Sequence, residues 1–445
     1  MIKTRIVSLS DYVPVFSTTN YSKVLPYLEP RMRICVTAGS CMRLMPAQRT
    51  FGKGAALYIK TPEALAGFVQ RASLASVLAV DTEFIREKTY YPRLCLVQLA
   101  ARFDADEEYV LVDPLAIADI SALNELFCDT RIVKVFHSCD QDVAILYHDL
   151  GCIPTPIFDT QRAAQLLGHV QQIGLGPMVR AYCGIRMDKG DTFTDWAQRP
   201  LRATQLRYAY DDVRYLPRIY QTMRTDLIEL GRLSWLDEEF ARLSDPETYA
   251  YDIHDAWRKV KHSANLKPRQ LNALRELALW REKTAQERDY PRKWIVSDDI
   301  LVEVARRLPA SSDELYQVRG VREKLSRGWV EALLAAIRTA EQVPASEWPE
   351  PPRQIHGRRA EAAQIDLITT LVHQRAFENR IVSNILASPD EIVSLASGQR
   401  RGLKVLQGWR RAMVGAELEE LLDGRICLSL EDGSLKVTRM DGGEL

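Results

Sequence analysis

The sequence lacks the features that would identify a membrane protein, a disulfide scaffold or a strongly charged chain. No apolar run approaches the roughly 18 to 20 residues that cross a bilayer, which argues against a membrane partner. The eight cysteines contain no C-x-x-C pair, which favours a reducing cytoplasm over a disulfide scaffold or a zinc site. The 59 basic and 59 acidic residues cancel, so an acidic partner would have to bind at local basic patches.

Composition and length predict a globular protein of several domains. The 445 residues are 46% apolar and 27% charged, as in ordinary folded proteins. Residues 1–55 have no sustained periodicity and few acids. Their composition is compatible with a transit peptide or with a true start at Met45, but we expect a poorly ordered extension.

Strand-like and helix-like segments alternate between residues 56 and 250. Apolar runs at 77–80, 93–100, 108–113 and 132–138 predict strands, and helical patterns cover 61–72, 140–151, 160–168 and 204–230. Pro217 lies inside the last pattern and predicts a kink or break there. Interspersed elements of this kind predict an α/β domain with a mixed sheet flanked by helices.

Beyond residue 255 the strand signal almost disappears. Amphipathic helical patterns predict one helical domain over 260–345 and a second over 361–440, with a Pro-rich linker at 346–360. The blocks share weak similarities, for example "RGVREKLSRGW" with "RGLKVLQGW", which indicate tandem copies of one module, although chance matching between helical sequences is an alternative. Between 257 and 340 there are 18 Lys and Arg against 11 Asp and Glu, which favours phosphate binding but also fits a solvated helix surface.

The stretch "VLAVDTEFIRE" places two carboxylates at the end of a buried strand. Asp81 and Glu83 are two residues apart, so their side chains project from the same face of the strand. Like charges this close need cationic compensation or a shared proton, and a divalent cation would supply the compensation. A strand end turning polar as it meets solvent is the alternative explanation.

Further acids of the first domain could join this pair. Asp142 lies in the first turn of a helix that follows a predicted strand, and Asp140 is a rival that could equally cap the helix. Asp212 lies on the predicted helix over 204–230, with Tyr208 four residues earlier on the same face. Taken singly, each of these residues is explained as well by capping, solvation or core packing.

Together the motifs resemble those of the ribonuclease D family, bacterial members of the DEDD 3′–5′ exonucleases. The resemblance rests on "DTEFIREKTYYPRLCLVQLA", "HSCDQDVAIL", "FDTQRAAQLLG", "MDKGDTFTDWAQRPL" and "YAYDDVRYL", in this order. It covers about residues 57–225 densely. "LRELALWREKTAQERDYPRKWIVSDDILVEVA" further resembles the helical HRDC module that helicases share with this family.

The resemblance implies a ribonuclease H-like sheet, HRDC-type modules and a set of catalytic residues. The family's four metal-binding acids fall on Asp81, Glu83, Asp142 and Asp212, and its motif tyrosine falls on Tyr208. The implied cofactors are two divalent cations, Mg²⁺ or Mn²⁺, with Asp81 bridging both. The implied activity is hydrolytic trimming of RNA with a free 3′ end, with tRNA precursors as the expected partner of a monomeric enzyme.

Substrate contacts are open to more than one interpretation. Phe84 could stack on the terminal base or belong to the core, and His137 could contact phosphate, orient a ligand water or pack at a strand end. Lys189 and Arg199 flank "TDWAQRPL" and are candidates for binding the nucleic-acid backbone. Alternatives for the whole chain are a DNA-directed 3′–5′ exonuclease and a nucleic-acid-binding protein without catalysis.

Overall fold

A computed structural model describes residues 56–104, 106–188, 194–250, 252–350 and 362–440. The predicted extension 1–55 and residues 351–361, which include most of the predicted linker, lie outside these ranges. The strands are β1 Leu57–Ile59, β2 Val77–Ile85, β3 Arg93–Arg102, β4 Glu107–Val112, β5 Val133–Phe136, β6 Ile157–Asp159, β7 Ile426–Glu431 and β8 Ser434–Arg439.

The helices of the first 250 residues are mostly short. They are α1 Pro62–Ala72, α2 Asn124–Phe127, α3 Asp140–Leu150, α4 Thr160–Leu166, α5 Leu175–Cys183, α6 Ala203–Arg214, α7 Leu216–Glu229, α8 Asp237–Leu243 and α9 Pro246–Tyr249. The remaining helices are α10 Pro268–Arg288, α11 Arg292–Ile295, α12 Asp298–Arg307, α13 Ser312–Leu315, α14 Val321–Lys324, α15 Arg327–Glu341, α16 Ala362–Glu378, α17 Ser383–Leu386, α18 Pro389–Ala396, α19 Gly408–Arg410 and α20 Ala416–Leu422.

Six strands form one mixed sheet in the order β1-β4-β3-β2-β5-β6. β3 runs antiparallel to both of its neighbours, β2 and β4, whereas the other neighbouring pairs are parallel. This confirms the predicted mixed sheet with flanking helices. β2 lies near the middle of the sheet, paired with β3 on one side and with β5 on the other.

The residues of β2 are buried on both faces of the sheet. Val77 and Ala79 pack in a cluster that includes residues of α6 and α7, whereas Leu78 and Val80 pack in a cluster with α1 and α3. Side chains alternate along a strand, so Asp81 and Glu83 continue the face covered by α6. Thr82 continues the face covered by α3.

The helical pattern over 204–230 is interrupted near the predicted position. α6 ends at Arg214 and α7 begins at Leu216, with Pro217 in the first turn of α7. Proline is compatible with a first turn because the N–H groups there have no partner within the helix. On either side of the break, α6 contacts β2, β3 and β4, whereas α7 contacts β2 and β5.

The helices beyond residue 260 surround two hydrophobic cores, one from Ala256 to Ala340 and one from Ile368 to Ile426. The prediction that the second region is entirely helical is wrong at its end, because β7 and β8 form an antiparallel hairpin. Asp432 and Gly433 at the turn both have positive φ. An Asp-Gly pair between alternating sequences is a strong hairpin signal that the helical interpretation overlooked.

Two further predictions concern cysteines and membranes. The structure joins Cys128 to Cys152 in a disulfide, which the cysteine spacing did not predict. Cys95 and Cys139 are free and buried. Among the described residues, every helix is too short or too polar to cross a membrane.

Candidate active site

The acidic pair lies where β2 leaves the buried part of the sheet. Asp81 is directly opposite Gln98 of β3, and Glu83 is opposite Leu96. The register shifts after Glu83, because Phe84 pairs with Leu94 and leaves one residue of β3 unpaired. Irregularities of this kind re-aim side chains at strand ends, and here the shift follows immediately after the second acid.

Helix α6 brings a third acid to the same face of the sheet. One carboxylate oxygen each from Asp81, Glu83 and Asp212 lie within 4.8 Å of one another. Asp212 is only 9% exposed, and Tyr208 lies one helical turn before it. The structure therefore brings together three of the four predicted acids and the predicted tyrosine.

The fourth acid approaches from the other face of the sheet. Asp142 lies in the first turn of α3 and is buried. The Thr82 hydroxyl donates a hydrogen bond to its Oδ1 at 2.5 Å, which ties it to the middle of the acidic stretch of β2. Asp142 is not part of the three-carboxylate group, but its charge raises the pKa values of Asp81 and Glu83. The rival Asp140 is exposed and pairs with Arg162, away from this group.

Burial raises the pKa values of all four acids, and repulsion from other acids of the site adds to this effect for Asp81 and Glu83. Burial, followed by the charges of the other three acids, holds the pKa of Asp81 well above its usual range. Burial is also the largest cause for Glu83, whose pKa rises to about 8, for Asp212, at about 7, and for Asp142, at about 6. Among the described residues, no basic side chain compensates these carboxylates.

This donor set fits divalent cations such as Mg²⁺ or Mn²⁺. Such ions take oxygen ligands, and one or two carboxylates per ion leave positions for water and phosphate. A bound cation would also offset the repulsion that raises the pKa values of Asp81 and Glu83. One carboxylate oxygen from each of Asp81, Glu83 and Asp212 could bind one such ion together.

Tyr208 stays protonated beside the acids. Burial, and then the negative charge of Asp212, raises the pKa of its hydroxyl above the usual range. A hydrogen bond between this hydroxyl and Asp212 lowers the pKa of the carboxyl group, which opposes the effect of burial. A neutral tyrosine in this position can hydrogen-bond a water molecule without carrying charge.

Three polar residues of the site escaped the sequence predictions. Thr82 hydrogen-bonds Asp142, and buried Gln98 lies directly opposite Asp81 on the neighbouring strand β3. Asp159 is fully buried at the end of β6, where its carboxylate accepts hydrogen bonds from the backbone N–H groups of Ser138 and Cys139 and so fixes the turn that leads into α3. A polar residue at a strand end or inside an apolar strand is the signal that could have drawn attention to each.

The predicted substrate-binding residues have different surroundings. Phe84 is partly buried and packs against the core cluster shared with α1 and α3, so part of its ring is exposed. His137 uses both ring nitrogens inside the protein, with Thr160 Oγ1 and the Ile173 carbonyl each at 2.9 Å. This leaves neither nitrogen for phosphate. Lys189 lies outside the described residues.

Arg199 does not fit the prediction that it binds the nucleic-acid backbone. Its guanidinium binds both carboxylate oxygens of Asp113, with Nε 2.7 Å from Oδ2. Its other N–H groups donate to the backbone carbonyls of Cys95, Trp196 and Gln198. These bonds use all five guanidinium donors, so the side chain is a structural link rather than a free phosphate contact.

Comparisons with known proteins identify related families and chains. Residues 57–228 match the family model described as 3′-5′ exonuclease, and residues 270–337 match the model described as HRDC domain. A relative from Acidiphilium cryptum named Ribonuclease D is 38% identical over 85% of this chain and 96% of its own length. Another from Sphingobium indicum, with the same name, is 38% identical over 86% of this chain and 98% of its own.

Solved structures agree with the sequence relatives. Escherichia coli RNase D, described as an exoribonuclease involved in structured RNA processing, gives a TM-score of 0.72 at 31% identity and covers 83% of this chain and 99% of its own. The catalytic core of RRP6 from Trypanosoma brucei gives a TM-score of 0.50 at 26% identity, covering 64% of this chain and 79% of its own. The similarity therefore extends beyond the sheet into the helical region.

Proposed function

This chain belongs to the ribonuclease D family of 3′–5′ exoribonucleases, and we propose that it trims structured RNA by hydrolysis at an acidic site that holds two divalent cations. The observation that carries the proposal is the convergence of Asp81, Glu83 and Asp212 within 4.8 Å, with Asp142 beside them. Uncompensated acids at such a distance are unfavourable unless a cation binds there or some of them retain a proton.

Each residue of the site has a defined task in this mechanism. Bound divalent cations lower the pKa of water and stabilise both the attacking and the leaving oxygen of a phosphodiester. Asp81, Glu83 and Asp212 supply the negative charge that retains the ions. Thr82 holds Asp142 in place, and the neutral hydroxyl of Tyr208 orients the attacking water towards phosphorus.

The proposed products are nucleoside 5′-monophosphates released one at a time from a free 3′ end. The proposed substrates are tRNA precursors, which the enzyme meets as a monomer in the cytoplasm. Two observations support a structured RNA: the related E. coli enzyme is described as acting in structured RNA processing, and a basic HRDC-type module follows the catalytic domain. Sequence-independent phosphate binding suits substrates that share shape rather than sequence.

The test is a comparison of RNA and DNA substrates of the same sequence. A structured RNA with a single-stranded 3′ extension, labelled at its 5′ end, should shorten one nucleotide at a time in Mg²⁺ or Mn²⁺. It should stay intact in EDTA. Equal or faster shortening of the matched DNA would replace the RNA proposal with a DNA-directed exonuclease, and an intact RNA in both metals would refute catalysis.

A further inference from the structure

A cleft of about 450 Å³ lies between the catalytic domain and the first helical module. The loop between β2 and β3 contributes Arg86, Thr89 and Tyr90 to its lining. The helical module contributes the remaining residues: Ala256, Lys259, Lys261, Arg281, Glu282, Pro291, Arg292, Lys293, Ser297 and Asp298. The cleft begins just beyond the strand that carries Asp81 and Glu83.

Contacts across the cleft fix the module against the catalytic domain. The Tyr90 hydroxyl donates to Glu282 Oε2 at 2.7 Å, and Arg292 Nε donates to the same carboxylate. Asp289 Oδ1 accepts hydrogen bonds from the backbone N–H groups of Tyr90 and Tyr91. The two walls are therefore connected by hydrogen bonds, and the cleft is a preformed feature rather than a gap between loosely joined parts.

The charge balance inside the cleft is strongly positive. Its two carboxylates are already paired, Glu282 with Arg292 and Asp298 with Arg281 at 2.7 Å. Arg86, Lys261 and Lys293 are exposed, and their side chains have no acidic partner among the described residues. Cations that face a cleft without compensation create a local potential that attracts phosphate.

Aromatic side chains accompany these cations. Tyr290 and Trp294 flank the lining residues Pro291 and Lys293, with exposed fractions of 45% and 49% and ring centroids 6.0 Å apart. Large aromatic rings exposed beside basic side chains are typical of surfaces on which unpaired bases stack. A double-stranded segment would present phosphates but no free base faces.

We propose that this cleft binds the single-stranded part of the RNA directly upstream of the nucleotide being removed. Arg86 follows Glu83 by three residues, which corresponds to about 10 Å along an extended chain. The RNA would therefore leave the active site over Arg86 and continue between Lys261 and Lys293. The proposal rests on the proposed function, since only an RNA bound by its 3′ end would reach the acids.

The experiment compares two triple variants of the full-length protein. Arg86→Gln, Lys261→Gln and Lys293→Gln remove the cleft cations, whereas Arg319→Gln, Lys324→Gln and Arg338→Gln remove three exposed cations of the same module outside the lining. Both triples lose the same charge. Affinity is measured for a single-stranded RNA of about 12 nucleotides at several salt concentrations in EDTA, where no cleavage occurs.

We expect the cleft triple to bind this RNA at least about tenfold more weakly, with a salt slope shallower by about 2, and the control triple to change affinity less than about twofold. Hydrolysis of a dinucleotide, which is too short to reach the cleft, should be unchanged in both. Equal losses in the two triples, or no loss in the cleft triple, would overturn the proposal. RNA that binds the wild type but is not cleaved in Mg²⁺ or Mn²⁺ would instead refute the proposed function.

A second, independent observation concerns Gln98. Its side chain is completely buried on β3, yet neither the nitrogen nor the oxygen of its amide has a hydrogen-bond partner among the described residues. A buried amide without partners is costly, so such groups are rare in folded proteins. Gln98 lies directly opposite Asp81 in an antiparallel pair, where side chains share a face and their Cβ atoms are about 4.5 to 5.5 Å apart.

We infer that Gln98 is a positioning residue for Asp81. Its amide hydrogens would bond to the carboxylate when Asp81 turns to hold a cation, which fixes the orientation of that carboxylate. Residues that orient a metal ligand in this way typically change metal affinity by about 10 to 100-fold. This inference also rests on the proposed cation site.

The test is Gln98→Met, which keeps the length of the side chain and removes the amide. We expect Mn²⁺ binding, measured by calorimetry, to weaken by about tenfold or more, while the melting temperature of the metal-free protein stays the same or rises. Unchanged Mn²⁺ affinity, or an affinity loss matched by a lower metal-free melting temperature, would overturn the inference. Wild-type protein that does not bind Mn²⁺ would refute the cation site itself.

Discussion

At the scale of single residues, the acidic site is electrostatically unfavourable, because the fold buries four carboxyl groups close together. Asp81, Glu83, Asp142 and Asp212 are all buried enough for desolvation to be the largest cause of their raised pKa values. Without a cation, the acids reduce this unfavourable energy by retaining protons. The same geometry that favours cation binding therefore weakens the metal-free protein as the acids ionise.

The raised pKa values of these acids predict how the stability of the metal-free protein depends on pH. The pKa of Glu83 is about 8 in the folded protein and about 4.3 when unfolded, so its destabilising effect grows as pH rises through this range. We expect the melting temperature of metal-free protein to fall from about pH 5 to pH 8, and to fall less in Glu83→Gln, which carries no charge. Saturating Mg²⁺ or Mn²⁺ should raise the melting temperature of the wild type more than that of Glu83→Gln. An equal fall in melting temperature with pH for both proteins would contradict this electrostatic explanation.

Tyr208 gives a second prediction at this scale. Tyr208→Phe should lower turnover by about 10 to 100-fold without weakening RNA binding, because water is still activated but is less well oriented. Tyr210→Phe is the matched control, since its ring lies two residues further along α6 and packs edge-on against Tyr109. Single-turnover rates measure the effect. Equal rates for Tyr208→Phe and wild type would assign Tyr208 to the core.

Residue type and motif position identified the acids but not every neighbour. Asp81 and Glu83 were predictable because their spacing follows from strand alternation. The sequence predicts that Arg199 binds phosphate, but its five donors bond to Asp113 and to backbone carbonyls. Asp113 lies 86 residues from Arg199 in the sequence. Partners this distant in sequence are decided by the tertiary fold.

At the scale of elements, the site exists because helices cover both faces of β2. α6 meets the face of Asp81 and Glu83, and α3 meets the face of Thr82. The sequence predicted the strand and both helices from their periodicity. It did not predict which helix covers which face, because that choice depends on the order of strands in the sheet. The hairpin of β7 and β8 was missed for another reason, since its alternating residues are mostly exposed and form little core.

A close backbone approach in the second helical module gives a prediction at this scale. Gly415 ends a π-helical turn over Arg411–Gly415, and a Cβ atom there would lie 2.1 Å from the carbonyl oxygen of Val405. Gly415→Ala should therefore destabilise this module by about 1 to 3 kcal/mol. Gly328→Ala in α15, where no atom lies within 4 Å of the added methyl group, should be neutral or slightly stabilising. Chemical denaturation measures both, and equal stabilities would contradict the packing account.

At the scale of the whole molecule, each helical region contacts the catalytic domain at a separate place. The first contacts the loop between β2 and β3 through Tyr90. In the second, Trp409 stacks on Trp235 with ring centroids 4.5 Å apart, and a Cβ atom on Gly168 would lie 2.8 Å from the carbonyl oxygen of Arg380. The two helical modules thus contact the catalytic domain at two separate surfaces.

The stacked tryptophans give the prediction at this scale. Trp409→Ala should loosen the second module, so that backbone amides of residues 383–410 exchange hydrogen faster while those of β2 exchange as before. Phe377→Ala is the control, because this ring belongs to the same module but is 81% exposed. Hydrogen-exchange mass spectrometry of both variants measures the difference. Unchanged exchange in Trp409→Ala would show that the stack does not hold the module.

The most direct test of the cation site replaces its acids and their nearest acidic neighbours one at a time. Asp81→Asn, Glu83→Gln, Asp142→Asn and Asp212→Asn should each lose most RNA hydrolysis and bind Mn²⁺ more weakly while still binding RNA. The controls Asp140→Asn and Asp211→Asn should stay near wild type, because these acids lie beside two of the ligands in sequence but pair with Arg162, Arg207 and Arg214. Wild-type hydrolysis by any two of the four site variants would contradict the account.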